Sequence, residues 1–280
     1  MEKQFFICAT DLTVIVGANP YRDIDEIYLK YWKKHYRDDY IQVKSELEKY
    51  RTPIKLEETN YECVKRLAKE NNLDIKQELG SCMSTQNVDD LNKNKQRLIE
   101  KIKDKLPQSA KKEFNSSFNS LTNTNFGVRF ENKGVELYQK ETGNNVDFDR
   151  KYHKKHIFEV PSDKSQGIDY WLLGGKLDGI ALDRDNSKYI LEIKNRINRL
   201  FYSLKEYEKV QCYVYMYLLD IWDTHLVETL KSKDDNIINI IDIQFDENYW
   251  EMIIEKTIKF IEDFYDFIEN KQRKIKLLVK

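Results

Sequence analysis

At 280 residues, the chain has room for one large α/β domain or two small ones. Its 40% apolar, 34% charged and 12% aromatic residues fit a soluble globular protein and exclude a disordered one. A formal net charge of −1 excludes a global basic signature for nucleic acid, so any such binding needs a local patch.

Lys and Arg gather at Lys93–Lys112, at Arg150–His156 and in the tail from Lys271. Such runs usually form solvated faces, and His153 and His156 read as part of a basic surface patch. The four cysteines, Cys8, Cys63, Cys82 and Cys212, form no C-x-x-C pair. Free thiols in a reduced, intracellular protein are expected, with no disulfide framework and no zinc site. No run approaches the ~18 apolar residues of a membrane span. The first ten residues hold too short an apolar run for a signal peptide. A soluble intracellular location is therefore expected, in host cytoplasm or viral factory if the chain is viral.

In chain order, Thr10 reads as the N-cap of a short helix that stops at Gly17, Asn19 and Pro20. A second helix is expected from Asp23 to Tyr36, with Ile24, Ile27, Tyr28 and Tyr31 on one face. Residues 59–125 are polar, rich in Lys and Asn, and mostly helical in pattern. Within them "NSSFNSLTNTN" reads as a loop. The region is expected to be a helical insertion within a single domain spanning 1–280. A stronger helix runs from Phe126 to Thr142 and stops at Gly143. Strand-like pieces follow at Val146–Phe148 and Ile157–Val160, then a hairpin from Lys176 to Arg196. A helix at Ser203–Asp220 and a β-rich run at Asn236–Phe245 come next. Asp246 caps a last helix whose apolar stripe includes Trp250, Ile253, Ile261, Phe264 and Ile268. The order predicts a mixed α/β (α+β) domain with a central mixed sheet flanked by helices.

The hairpin carries the chemistry. If Asp183–Ser187 form the turn, Leu182 faces Lys188 and Ile180 faces Ile190. Asp178 then faces Glu192, and Lys194 projects on the same side. Opposed carboxylates destabilise a sheet unless a cation sits between them. Mg²⁺ takes oxygen ligands and suits such a pair. The register assigns Asp178 to that role and leaves Asp183 and Asp185 to the turn.

A strand-borne acid followed by E-x-K, here Asp178 and Glu192-Ile193-Lys194, resembles the PD-(D/E)xK nuclease superfamily. Gly127 and Glu131 resemble its G-x-x-x-E helix, with Glu131 in line with Val128, Val135 and Tyr138. Gln211 and Tyr215 resemble the Q-x-x-x-Y helix of RecB-type members. The segment "FFICATDLTVIVGANPYRDIDEIYLKYW" resembles the start of the YqaJ-like viral recombinases, the lambda-exonuclease group, including giant-virus members. The resemblance covers residues 5–40 and 125–268.

The resemblance implies a restriction-endonuclease-like core and metal-dependent hydrolysis of DNA. Asp178, Glu192, Glu131 and the Ile193 carbonyl would hold one or two Mg²⁺ or Mn²⁺ ions. Lys194 would orient or deprotonate the water, and its pKa would have to fall for the second role. Gln211 would position a neighbour, with Tyr215 in support. Thr10 and Lys3, which stands where the group often has arginine, would receive a DNA 5′-phosphate. A 5′-to-3′ exonuclease on double-stranded ends is implied, acting in viral recombination, repair or defence. Ring-like homo-oligomers, and a single-strand annealing protein or helicase as partner, belong to the same expectation. An endonuclease or nickase of this fold, or a non-catalytic DNA-binding module, are the alternatives. An iron–sulfur nuclease is disfavoured because the cysteines are scattered.

Overall fold

The computed structural model describes residues 2–50, 58–148, 151–162 and 167–279. Arg150 and Lys280, members of two basic clusters, lie outside them. Strand β1 (Gln4–Cys8) runs straight into helix α1 (Ala9–Ile15), followed by α2 (Ile24–His35) and α3 (Arg37–Lys49). Next come α4 (Asn60–Glu70), α5 (Lys76–Met83), α6 (Val88–Ile102), α7 (Gln108–Arg129) and α8 (Glu131–Thr142). Strands β2 (Asn145–Asp147), β3 (His153–Ser162), β4 (Gly167–Gly175), β5 (Gly179–Leu182) and β6 (Lys188–Arg196) lead to α9 (Glu206–Leu219). β7 (Asp223–Lys231), β8 (Asn236–Gln244), α10 (Glu247–Glu269) and α11 (Lys271–Leu278) complete the order.

The fold is mixed α/β, and among the described residues its strands fall into two sheets. One has the order β1-β4-β3, the other β2-β5-β6-β7-β8. The chain passes from the first to the second through Lys176–Asp178, between β4 and β5. β6 and β7 are parallel neighbours, joined by the crossover helix α9.

Alternation along β6 separates two cores. Ile190 joins the main core with Val210 and Val214 of α9, Trp171 of β4 and Phe264 of α10. Leu191 and Ile193 face the other way, under Val135 and Tyr138 of α8. Asp246 caps α10 by accepting from the Asn248 and Tyr249 backbone, and Trp250, Ile253, Ile261, Phe264 and Ile268 are buried as expected. The helices α4–α7 have their own core, built on Val64, Leu67, Leu91, Leu98, Phe114 and Phe118.

Several local expectations change. The "NSSFNSLTNTN" stretch lies inside α7, because Phe114, Phe118, Thr122 and Phe126 form one buried stripe that outweighs weak helix propensity. The single helix expected over Phe126–Thr142 is broken at Phe130, so Val128 is 60% exposed and not part of a core stripe. Its stop at Gly143 stands, in the left-handed conformation at φ +75°. Thr10 is not an N-cap: the cap position of α1 is Cys8, and β1 leaves no turn in which Thr10 could cap.

Gly134 of α8 allows that helix to lie directly on β6. A Cβ there would come within 2.5 Å of Ile193 Cγ2, on a buried, β-branched side chain with little freedom to move. Gly134→Val should therefore destabilise the protein by about 1–3 kcal/mol through overpacking. Urea unfolding measures this, and an unchanged midpoint would contradict the close approach.

Candidate active site

The hairpin has the register read from its sequence. Leu182 pairs with Lys188 and Ile180 with Ile190. Asp183 closes the turn, its Oδ1 accepting from the backbone of Asp185 and Ser187 at 2.8 Å each. The ladder ends one residue before Asp178, at Gly179 opposite Leu191. Asp178 continues it with its side chain: Oδ2 accepts from the Ile193 N–H at 2.7 Å. In an antiparallel partner the N–H and C=O of one residue point to the same side. The Ile193 carbonyl therefore faces the space that β5 vacates.

On the α9 side of β6, Glu192, Lys194 and Arg196 alternate. Lys194 Nζ donates to Glu192 Oε1 at 2.6 Å and to Gln211 Oε1 at 3.0 Å. Gln211 Nε2 donates to the same Glu192 oxygen at 2.9 Å and also reaches the Tyr215 hydroxyl at 2.9 Å. Strand acid, strand lysine and helix amide thus form a closed circuit. Tyr215 both supports it and packs, since a Cβ at Gly175 would stand 2.6 Å from the tyrosine ring.

The site is crowded with acids. Burial pushes Glu192 up to about 7, with the Lys194 charge opposing and Asp178 adding to the shift. Burial likewise raises Asp178 to about 6, against the pull of the Ile193 N–H. Glu131, the first residue of α8, is raised by burial and by Glu192. Glu131 and Asp178 line one cavity of about 250 Å3 together with Lys176. Burial alone would lower Lys194, but the adjacent Glu192 outweighs it and its pKa is raised. The fall that a lysine base needs is not present here.

Among the described residues, the three acids do not bring ligand atoms within 4.8 Å of one another; two carboxylate oxygens of Glu58 and Glu113 and the Cys63 sulfur do. There Arg66 already pairs with Glu58 and Glu113. The N-terminal residues Lys3 and Thr10 each have a partner of their own. The Lys3 ammonium lies over the Tyr36 ring at 3.4 Å, while the Thr10 hydroxyl meets Cys8 Sγ at 3.3 Å.

Sequence reasoning misses a second layer. Arg196 donates to Glu208 of α9 (2.8 Å) and to Glu228 of β7 (2.8 Å), and both acids are buried. The alternation Glu192, Lys194, Arg196 is the signal that points to it. The glycine that matters for α8 is Gly134, not Gly127, where a Cβ would meet nothing within 4 Å.

The acid before β5, the E-x-K of β6 and the flanking helices define a PD-(D/E)xK nuclease fold. Residues 74–222, more than half the chain, match the YqaJ-like viral recombinase domain, and the chain belongs to that family. The match takes in α5–α7, most of which lies outside the motifs that carry the resemblance, and leaves out the N-terminal segment. No curated protein matches the chain. The structure is similar to an alkaline exonuclease (LHK-Exo) from Laribacter hongkongensis, at 17% identity over 69% of this chain and 89% of that one, with a TM-score of 0.38. LHK-Exo in complex with dAMP compares at 16% identity, 70% and 90% coverage and a TM-score of 0.39. A phage-related exonuclease from Haemophilus somnus 129PT compares at 15%, 52% and 71%, and 0.38.

The raised Asp178 pKa has a consequence for stability. The folded state holds this proton up to about pH 6, against 3.8 ordinarily, so its stabilising effect is present at low pH and lost as pH rises through 6. Asp178→Asn should make the metal-free protein more stable at pH 8 by about 1–2 kcal/mol, the gain narrowing toward pH 4. Denaturant titrations at the two pH values measure this; equal stabilities at pH 8 would contradict a raised pKa from the burial of Asp178.

Proposed function

We propose that the protein hydrolyses DNA phosphodiesters with Mg²⁺ or Mn²⁺, as a 5′-to-3′ exonuclease on double-stranded ends. The observation that carries this reading is the Glu192–Lys194–Gln211 circuit beside Asp178, on the E-x-K strand of a YqaJ-family chain.

The donor set fits a hard divalent cation. One Asp178 oxygen is held by the Ile193 N–H and one Glu192 oxygen by Lys194 and Gln211, so each acid keeps a second oxygen for a ligand. Both acids and Glu131 have raised pKa values, because burial and the neighbouring acids outweigh the lysines beside them. Asp178, Glu192, Glu131 and the Ile193 carbonyl would hold the ion. When bound, it lowers the pKa of a coordinated water and offsets charge on the scissile phosphate.

The chain's own residues do the rest. Glu192 and Gln211 hold the Lys194 amine in one position, and its remaining proton is free to reach a water or a phosphate oxygen. As an ammonium it stabilises the negative charge that builds on the phosphate during attack. Gln211 ties that amine to α9, so the helix sets the distance between lysine and acid.

Asp178→Ala, Glu192→Ala and Lys194→Ala should each reduce Mg²⁺-dependent cleavage of linear duplex to background in a folded protein. Closed circular DNA should survive the wild type, and 5′-phosphorylated duplex should be degraded faster than 5′-hydroxyl duplex. End-labelled substrates on denaturing gels measure all three. A wild-type rate in any variant would sink the site. Cutting of the circle would replace exonuclease with endonuclease.

A further inference from the structure

Tyr202 has a φ of +53°, a left-handed backbone that a bulky residue seldom adopts. Its side chain is 67% exposed, so it buries little that could offset the strain. The backbone is held from beneath. The Tyr202 N–H donates to Glu228 Oε2 at 2.9 Å, and the Phe201 N–H reaches both Glu228 oxygens at 3.1 and 3.2 Å. Glu228 is fully buried on β7 and is itself fixed by Arg196 at 2.8 Å and Asn239 at 3.1 Å. A buried carboxylate thus grips two successive peptide N–H groups and keeps an aromatic ring turned out to solvent.

The position of the loop gives the strain a purpose. Residues 197–205 join the C-terminal end of β6 to α9, where Lys194 and Gln211 meet. In sheets with parallel neighbours, ligands lie outside the carboxyl ends of the strands. The loop also presents exposed Arg199, while the Arg196 guanidinium lies 4.1 Å from the Phe201 ring centre. Beside it, Tyr207 stands one turn before Gln211 on α9 and meets the ring of Tyr21, which is 79% exposed. Aromatic faces among cations are what single-stranded nucleic acid stacks on, and the contact is sequence-tolerant because every base has a π-face.

We propose that the β6–α9 loop is a base-stacking platform, in which Tyr202 takes an unpaired nucleobase of the strand entering the site. The substrate class rests on the nuclease reading above, but the binding itself is measured without cleavage. Fluorescent dT12 and an abasic strand of equal length are titrated with the full chain in EDTA, using wild type, Y202F and Y202N. Asparagine tolerates the left-handed backbone, so Y202N should melt no lower than wild type. Wild type and Y202F should prefer dT12 over the abasic strand by about fivefold or more. Y202N should lose that preference with abasic binding unchanged. A preference retained in Y202N, or none in the wild type, overturns the platform. Cleavage is scored separately: no Mg²⁺-dependent hydrolysis by wild type, with the base preference present and lost in Y202N, overturns the nuclease reading and supports the platform.

Discussion

A carboxylate that is only 4% exposed stays ionised only if its charge is compensated, and Glu192 is such a group. The arrangement of β6 and α9 follows from that constraint. Lys194 and Gln211 both converge on one Glu192 oxygen, so strand and helix are locked at the point where the lysine projects. The compensation is incomplete, since the pKa of Glu192 remains raised to about 7. A group in that state has a strong reason to accept a cation on its second oxygen.

The second ionic layer makes the first one rigid. Arg196 bridges Glu208, three residues before Gln211 on α9, to Glu228 on the parallel neighbour strand. Removing one partner of such a buried group leaves an uncompensated charge and typically costs about 3–5 kcal/mol. The same Glu228 anchors the loop that leaves β6. One buried acid therefore connects the sheet, the crossover helix and the loop at the mouth of the site. The helices α4–α7 stand on a core of their own, which meets the sheet through Leu230 of β7 and through Ile197 at the start of that loop.

Those features of the fold governed by local periodicity are legible in the sequence. The hairpin register follows from strict alternation and a run of turn formers, and counting along it is enough to sort Asp178 and Glu192 from Asp183 and Asp185. The stripe and cap of α10 and the glycine stop of α8 are local in the same way. Three strands are not legible. β1 is five residues long and passes into a helix without a turn; β4 is bounded by glycines; β7 carries Glu228 and Thr229 in positions that look solvent-facing until their partners are known. The middle of α7, "NSSFNSLTNTN", reads as a loop because Asn, Ser and Thr favour loops, and only its buried Phe stripe reverses that preference. Within the site, residue types are readable but pairings are not. The partners of Arg196 lie 12 and 32 residues away, a relation that no spacing rule supplies.

The proposed cation site lies where Asp178, just before β5, comes near Glu192, midway along β6. Calorimetric titration of the metal-free protein with Mn²⁺, in buffers of different ionisation enthalpy, tests it directly. Cation binding requires deprotonated carboxylates, so protons should be released at pH 6.5, where Glu192 and Asp178 are partly protonated, and almost none at pH 9. The release should disappear in the Asp178→Asn, Glu192→Gln double variant. Binding with no proton release at pH 6.5, or equal release in the double variant, would contradict the assignment.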